Sequence, residues 1–386
     1  MDKPLTWAEI DLKAYAHNIR ELRRATRPQA RLMAVVKANG YGHGAIEVAR
    51  SALLNGAEYL GVARLHEAVE LRKAGLAAPI LIFGYSSPDS APTLIDNELT
   101  QTVYSPSTAR ALSEQAARRG KKIKVHIKVD SGMGRLGLLL EEPAAGVSRN
   151  SQPAGIVSDV EAISRLANLE VNGIFTHFAT ADSADKSYAN RQLKRFMEFL
   201  NRLDRAGLRP PLKHAANSAA LIDLPDSHLD LVRPGIATYG LYPSDEVNQR
   251  GVDLKPVMAL KSRIIHLKKV PAGFHISYGI TYRTQKPTTI ATIPIGYADG
   301  YNRLLSSRGY MVVHGQRVPV VGRVCMDLTM LDVSALKDVQ LEDEVVAFGQ
   351  QGEAAVTADE LASKLNTINY EIVTSITGRV PRVYLE

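Results

Sequence analysis

Ala34-Val35-Val36-Lys37-Ala38-Asn39-Gly40-Tyr41-Gly42-His43-Gly44 decides how the rest of this 386-residue chain is read. The apolar run Leu32–Val36 leading into it has the length and β-branching of a buried strand. It ends on a lysine, and a loop with three glycines in five residues follows before a helical pattern begins. Burial at a strand end disfavours the ammonium form, and a neutral amine is a nucleophile whose natural partner is a carbonyl, with which it forms a Schiff base. The glycines let the backbone come close to something bulky. A lone lysine could equally reach water along its aliphatic stem, so its reading depends on what stands at the ends of the other strands.

Those strands come in a rhythm. Apolar runs recur near Tyr59–Ala63, Ile80–Phe83, Gln101–Tyr104, Ile123–Val129, Val171–Thr176, Leu212–Ala215 and Leu229–Arg233, making eight with the first. Helical patterns such as His66–Lys73, Thr108–Arg119 and Ala189–Arg205 separate most of them, and an alternating run Thr6–Leu12 and a helix over about Leu12–Thr26 precede them. Eight strand–helix units predict a (β/α)8 TIM-type barrel over residues 1–244. A doubly wound sheet, the alternative, would usually show a glycine-rich dinucleotide fingerprint, and none follows the early strands. From about Ser244 the rhythm stops. Short alternating runs at Val257–His266, Thr289–Ile295, Tyr310–Val313, Val318–Val321 and Glu344–Phe348 predict a mainly β domain over 245–386, with one helix after a capping box at Thr357–Glu360.

Bulk properties narrow the function. The length exceeds one ordinary core, so two domains are expected. Hydrophobic content of 45% and charged content of 23% are globular values. The net charge of +7 is spread out, with short clusters such as Arg118-Arg119-Gly120-Lys121-Lys122. That pattern speaks against a nucleic-acid partner and fits an anionic small substrate or cofactor. Cys325 is the one cysteine, so no intramolecular disulfide forms. No signal peptide opens the chain and no apolar run reaches membrane-spanning length, so a soluble cytoplasmic enzyme is expected, with no membrane partner and no metal.

In a barrel, catalytic groups sit just past the C-terminal ends of the strands. Those positions carry Lys37 and Tyr41; Lys128 to Arg135; Thr176-His177-Phe178; Ala216-Asn217-Ser218; and Arg233-Pro234-Gly235-Ile236. Polar and cationic groups converge at one mouth. Phosphate sites in barrels are commonly built after the seventh and eighth strands, where Ser218 and Gly235-Ile236 fall. A phosphorylated aldehyde met by a strand-end lysine means pyridoxal 5'-phosphate.

Here the motifs carry a resemblance. AVVKANGYGHG, KVDSGMGRLG, THFATAD, AANSAA and VRPGIATYG occur in that order, followed by SYGITY, IPIGYADG, GRVCMD and INYE…RVPR. Together they resemble the alanine racemases, from Trp7 to Arg382. The resemblance implies a pyridoxal-phosphate barrel followed by a β domain. It also implies interconversion of L- and D-alanine by two bases, Lys37 and Tyr278, on opposite faces of a Schiff base, supplying D-alanine for peptidoglycan. Arg233 would face the pyridine nitrogen. Arg135 would meet the cofactor phenolate and the substrate carboxylate, and Lys128 would be carried as a carbamate, N6-carboxylysine. Ser218, the amides of Gly235 and Ile236, and the hydroxyls of Tyr41 and Tyr370 would hold the phosphate. His177 would stack by the ring with Asn217 in support, while Tyr297, Cys325 and Met326 would face the substrate. A homodimer with shared active sites is implied as well. The segment Leu140–Val157, rich in Ala, Pro, Gly, Ser and Asn, departs from the pattern and reads as a surface insertion. The rivals are a racemase of another small amino acid such as serine, a basic amino-acid decarboxylase, and a non-catalytic pyridoxal-phosphate-binding protein. The first shares the whole reading, the second uses different motifs, and the third is typically a lone barrel.

Overall fold

A computed structural model describes residues 4–140 and 155–386. They form two units, one of residues 16–40 and 45–255, the other of the stretch up to Tyr15, residues 41–44 and residues 256–386. The first strand, β1 (Thr6–Asp11), belongs to the second unit.

The first unit is built on β2 (Arg31–Val35), β3 (Tyr59–Val62), β4 (Ile80–Ile82), β5 (Thr100–Val103), β6 (Ile123–Asp130), a two-residue β7 (Leu138–Leu139), β8 (Leu169–Phe175), β9 (Leu212–His214) and β10 (Leu231–Val232). All pair in parallel in the order β10-β2-β3-β4-β5-β6-β8-β9, with β7 set beside β6. The ring closes between β9 and β10, where Asp230 N–H donates to the Lys213 carbonyl and Arg233 N–H to that of Ala216, each at 3.0 Å. This is the expected eight-stranded TIM-type barrel, with strand boundaries within a residue or two of those predicted.

Chain chemistry explains the closure. Parallel strands are covered on both faces, so they read as near-continuous apolar runs. Met33, Leu81, Phe175 and Leu231, from four different strands, form one buried cluster. Helices cover the outside; the longest, Ser187–Arg205, buries Phe196, Phe199, Leu200 and Leu203 on one stripe. On β6 the order Lys124-Val125-His126-Ile127-Lys128-Val129-Asp130 alternates, which places His126, Lys128 and Asp130 on the same face. His126 has room because its neighbour across the sheet is Gly173; a Cβ there would lie 2.7 Å from the imidazole.

In the second unit a seven-stranded sheet contains β1, β11 (Met258–Arg263), β16 (Tyr310–Val313), β17 (Gln316–Pro319), β19 (Glu344–Gln351), β20 (Ala354–Val356) and β21 (Arg382–Leu385). A three-stranded sheet holds β12 (His266–Val270), β15 (Thr288–Ile293) and β18 (Thr329–Asp332), and a two-stranded ribbon β13 (His275–Ile276) and β14 (Tyr282–Arg283). A single cut after residue 244 therefore misplaces β1. Its two edges are taken by β11, antiparallel, and β21, parallel, so its backbone groups find their partners there. The run expected over Val257–His266 is two strands, interrupted at Ile264 and Ile265. Thr357 caps the helix Ala358–Leu365 by accepting from Glu360 N–H at 3.0 Å, while the Glu360 carboxylate pairs with Arg317. Of the expected insertion, residues 141–154 lie outside the described residues; a helix starts at Ile156.

Candidate active site

Lys37 follows Val36, the buried residue just past β2, whose N–H donates to the Gly61 carbonyl at 2.8 Å. The chain then turns left-handed for four residues: Ala38 (φ 53°), Asn39 (φ 52°), Gly40 (φ 60°) and Tyr41 (φ 51°). Each non-glycine residue there costs roughly 1–2 kcal/mol, so the turn persists because it is tied down. Gly40 N–H donates to Val36 O at 2.9 Å, and Asn39 Oδ1 accepts from Ala45 N–H at 2.9 Å. Gly40 admits nothing larger, since a Cβ would lie 2.8 Å from Val48. The Lys37 side chain is half-buried. Burial first, and the Arg135 charge second, lower its pKa, opposed by Glu67.

β6 delivers three ionisable side chains to the same mouth. Lys128 is 4% exposed, and its pKa falls to about 8 through burial and the charges of Arg135 and Arg233. Its ammonium lies 5.7 Å from the Phe175 ring centroid. Burial raises the pKa of Asp130, but four backbone N–H groups outweigh it and the net direction is down. Its Oδ1 accepts from Gly132, Met133 and Gly134 at 2.9, 2.7 and 3.2 Å, and Oδ2 from Arg135 at 3.1 Å. One carboxylate thus gathers the whole loop that presents Arg135.

Arg233, at the end of β10, is equally buried, which brings its pKa down to about 9 and leaves it charged at neutral pH. It donates to Thr176 O at 2.9 Å, Ala215 O at 3.0 Å, His177 Nδ1 at 3.3 Å and His214 Nδ1 at 2.8 Å. Arginine has no acceptor, so both imidazoles receive the bond on Nδ1 and carry their proton on Nε2. His214 passes its own on to His126 Nδ1 at 2.9 Å. Burial and the Arg233 charge keep all three histidines neutral: His126 falls to about 3, and His177 and His214 fall well below the usual imidazole range. The His214 ring stacks on Phe175 at 4.7 Å.

After β9, Asn217 caps the short helix Ser218–Asp223 by accepting from Ala220 N–H at 2.9 Å. Ser218 Oγ accepts from Gly235 at 2.8 Å and Ala237 at 3.3 Å, bracketing Ile236. Ser218, Gly235 and Ile236 are thus held together. Lys37, Lys128, Arg135, His177, Asn217 and Arg233 lie in the same barrel unit.

The second unit holds the remaining residues. Tyr41 and Tyr370 pack with ring centroids 6.2 Å apart, and burial raises the Tyr41 pKa. Tyr278 is 72% exposed and follows Ser277, a left-handed residue at φ 67°. Ser277 donates to the Arg323 carbonyl at 2.7 Å, which ties the Tyr278 turn to the segment carrying Cys325 and Met326. Tyr297 and Ala298 donate their N–H groups to Cys325 O and Met326 O, both at 3.0 Å. Tyr278, Tyr297 and Met326 therefore come from three segments joined by one side-chain and two backbone hydrogen bonds, and a cavity of about 370 Å³ is lined by Phe274, Ser277, Tyr278, Cys325 and Leu328.

Four groups escaped the sequence reading. Asp130 lies inside a quoted motif, and Asp-Ser-Gly is a turn signature. His126 shares its face with Lys128 at period two. His214 and Glu67 carried no such signal.

A closed parallel barrel that gathers a half-buried amine, two arginines and a neutral histidine past its strand ends defines an α/β barrel with a cationic mouth. Comparison with known proteins makes this specific. Residues 10–243 match the family described as alanine racemase, N-terminal domain, and residues 257–384 that described as alanine racemase, C-terminal domain. The chain is 56% identical to an alanine racemase of Desulfosudis oleivorans, over 98% of this chain and 96% of that one. It superposes on the alanine racemase of Clostridium difficile 630 with a TM-score of 0.92 at 41% identity, covering 100% of this chain and 97% of the other. An alanine racemase of Bartonella henselae, described as having covalently bound pyridoxal phosphate, matches with a TM-score of 0.84 at 29% identity, over 99% and 100% of the two chains. The chain belongs to the alanine racemase family and is an isomerase of the racemase class.

Proposed function

We propose that this protein interconverts L- and D-alanine with pyridoxal 5'-phosphate. The carrying observation is Lys37, a half-buried amine at a strand end whose ammonium form is disfavoured, in a chain whose relatives are alanine racemases. The donor set fits the cofactor: a nucleophilic amine for its carbonyl, the Ser218 hydroxyl with the amides of Gly235 and Ile236 for its phosphate, and a charged arginine for its ring. When bound, it supplies the carbonyl that takes up the amino group and the conjugated ring that spreads the charge left at the α-carbon.

The chain supplies the rest. Lys37 removes or returns the α-proton on one face, and Tyr278 does so on the other. Arg135 holds the substrate carboxylate, steadied by the amide loop around Asp130. Arg233 keeps its own proton, so an aromatic nitrogen facing it receives a hydrogen bond rather than a proton. His177 stacks beside the ring, Asn217 supports it, and Tyr41 and Tyr370 add hydroxyls to the phosphate. Lys128, with its pKa brought down to about 8, is neutral in about a tenth of molecules at pH 7. That amine adds carbon dioxide, losing a proton, to give a carbamate whose negative charge orients Arg135. Tyr297 and Met326 leave room for little beyond a methyl group, and serine is at best a slow alternative.

The second base stands on an exposed face. Tyr278, Ile280 and Met326 are 72%, 66% and 53% exposed. We infer a symmetric dimer in which this face meets the barrel mouth of a second copy, each chain giving what it receives. Among the described residues no helix is long and apolar enough to cross a membrane; the setting we propose is cytoplasmic, with D-alanine going to peptidoglycan. Optical rotation of pure L-alanine, with and without added pyridoxal phosphate, tests the activity. Decay to zero with the cofactor supports it, and unchanged rotation refutes it.

A further inference from the structure

We propose that Glu67 is a positioning residue for Lys37, strapping the turn that carries the amine to the end of the neighbouring strand and setting a negative charge beside it. The inference rests on the reading of Lys37 as the reactive amine. Glu67 is the third residue of the helix Leu65–Lys73, and its Oε2 accepts from Ala63 and Arg64 N–H at 2.8 and 2.9 Å. That alone is ordinary capping. Its other oxygen, Oε1, accepts at 2.6 Å from the N–H of Ala38, the residue after Lys37 in the turn past β2. A cap does not need that bond; the left-handed turn does. Ala38 and Asn39 both sit at positive φ, and such a backbone relaxes unless its groups are held. Three donors from two strand ends thus converge on one side chain.

The residue type follows from the donors. A carboxylate offers acceptors on both oxygens, whereas an amide would turn an NH2 group against at least one N–H. The charge matters independently. The groups that face Lys37 are Arg135, which disfavours its ammonium, and Glu67, which favours it; Lys128 and His177 in turn feel the Lys37 charge. Glu67 is thereby the carboxylate whose charge favours the Lys37 ammonium, as that of Asp130 favours the Lys128 ammonium.

The test uses the full chain as wild type, Glu67→Gln and Glu67→Asp. Acetylation of Lys37 in cofactor-stripped protein, normalised to the exposed Lys255 and followed by peptide mass spectrometry across pH, reads the amine's titration. Fixation of added pyridoxal phosphate to Lys37 by borohydride reads its placement. Glu67→Gln should lower the Lys37 labelling midpoint by about half a pH unit or more and slow fixation about tenfold. Glu67→Asp keeps the charge and the cap but falls short of Ala38, so it should slow fixation while moving the midpoint less. A glutamine variant with the wild-type midpoint overturns the charge, and wild-type fixation in the aspartate variant overturns the strap. If the glutamine variant does not fold, the aspartate arm decides alone. If wild type fixes no cofactor on Lys37, the reading of Lys37 fails, while the labelling midpoint still judges Glu67.

Discussion

Lys128 and Arg233 are each 4% exposed at the barrel mouth, whereas Tyr278 and Ile280 in the β unit are 72% and 66% exposed. A buried cation persists only when every donor is placed. Arg233 accordingly reaches two carbonyls and two imidazoles, while the backbone of the loop that carries the exposed Arg135 is gathered by Asp130. Tyr278 is held otherwise: its backbone is fixed through Ser277 and Arg323, and its ring stands out among apolar neighbours. One region is organised within its own unit; the other holds a polar tip and carbon surface toward whatever covers it. This contrast is what the proposed dimer explains, and each experiment below sets one region against the other.

The largest effect should come from the barrel. Lys37→Ala removes both the cofactor's attachment and one base, and racemisation should fall by about 10⁴-fold or more in both directions. Residual activity within tenfold of wild type would exclude Lys37 from the chemistry. Next, Tyr278→Phe should cost about 10²- to 10³-fold while thermal unfolding changes little, because the ring is kept and only the hydroxyl is lost. Solvent-deuterium exchange should then persist for one alanine enantiomer and be lost for the other; equal residual exchange would mean that Tyr278 is not a base. Asp130→Ala should leave four backbone donors without their acceptor, at about 2–4 kcal/mol of stability. It should also loosen Arg135, seen as an alanine KM raised more than kcat is lowered, with no change at the β-unit face.

The smallest effect concerns pH. Lys128 titrates near 8 when folded, against about 10.4 in the unfolded chain. Between those values the unfolded chain binds more protons, so stability should rise with pH from about 8 to about 10.4, by about 3 kcal/mol at most. Urea midpoints in carbonate-free buffer should show this gain in wild type and not in Lys128→Met. The same slope in both would place the titration elsewhere.

The barrel was legible because parallel strands buried on both faces leave unbroken apolar runs, and all eight were found. β1 was not placed, since an alternating strand does not say which sheet takes its edges. At the mouth, residues inside long motifs were found, Lys37, Arg135 and Arg233 among them. What holds them was largely missed: the Glu67 carboxylate is five residues past the end of β3 in an ordinary helix start, and the Arg233–His214–His126 series joins β10, β9 and β6, a relation that sequence order hides. The β-unit residues were named through family likeness alone, because one tyrosine in a β domain looks like any other.

The most direct test joins the two regions. Lys37→Ala and Tyr278→Phe chains, each nearly inactive, are unfolded, mixed in equal amounts and refolded together. If Lys37 of one chain works with Tyr278 of another, about half of the dimers are mixed, each with one intact site, and roughly a quarter of wild-type racemisation returns. Activity no higher than the sum of the two parents would contradict the shared site.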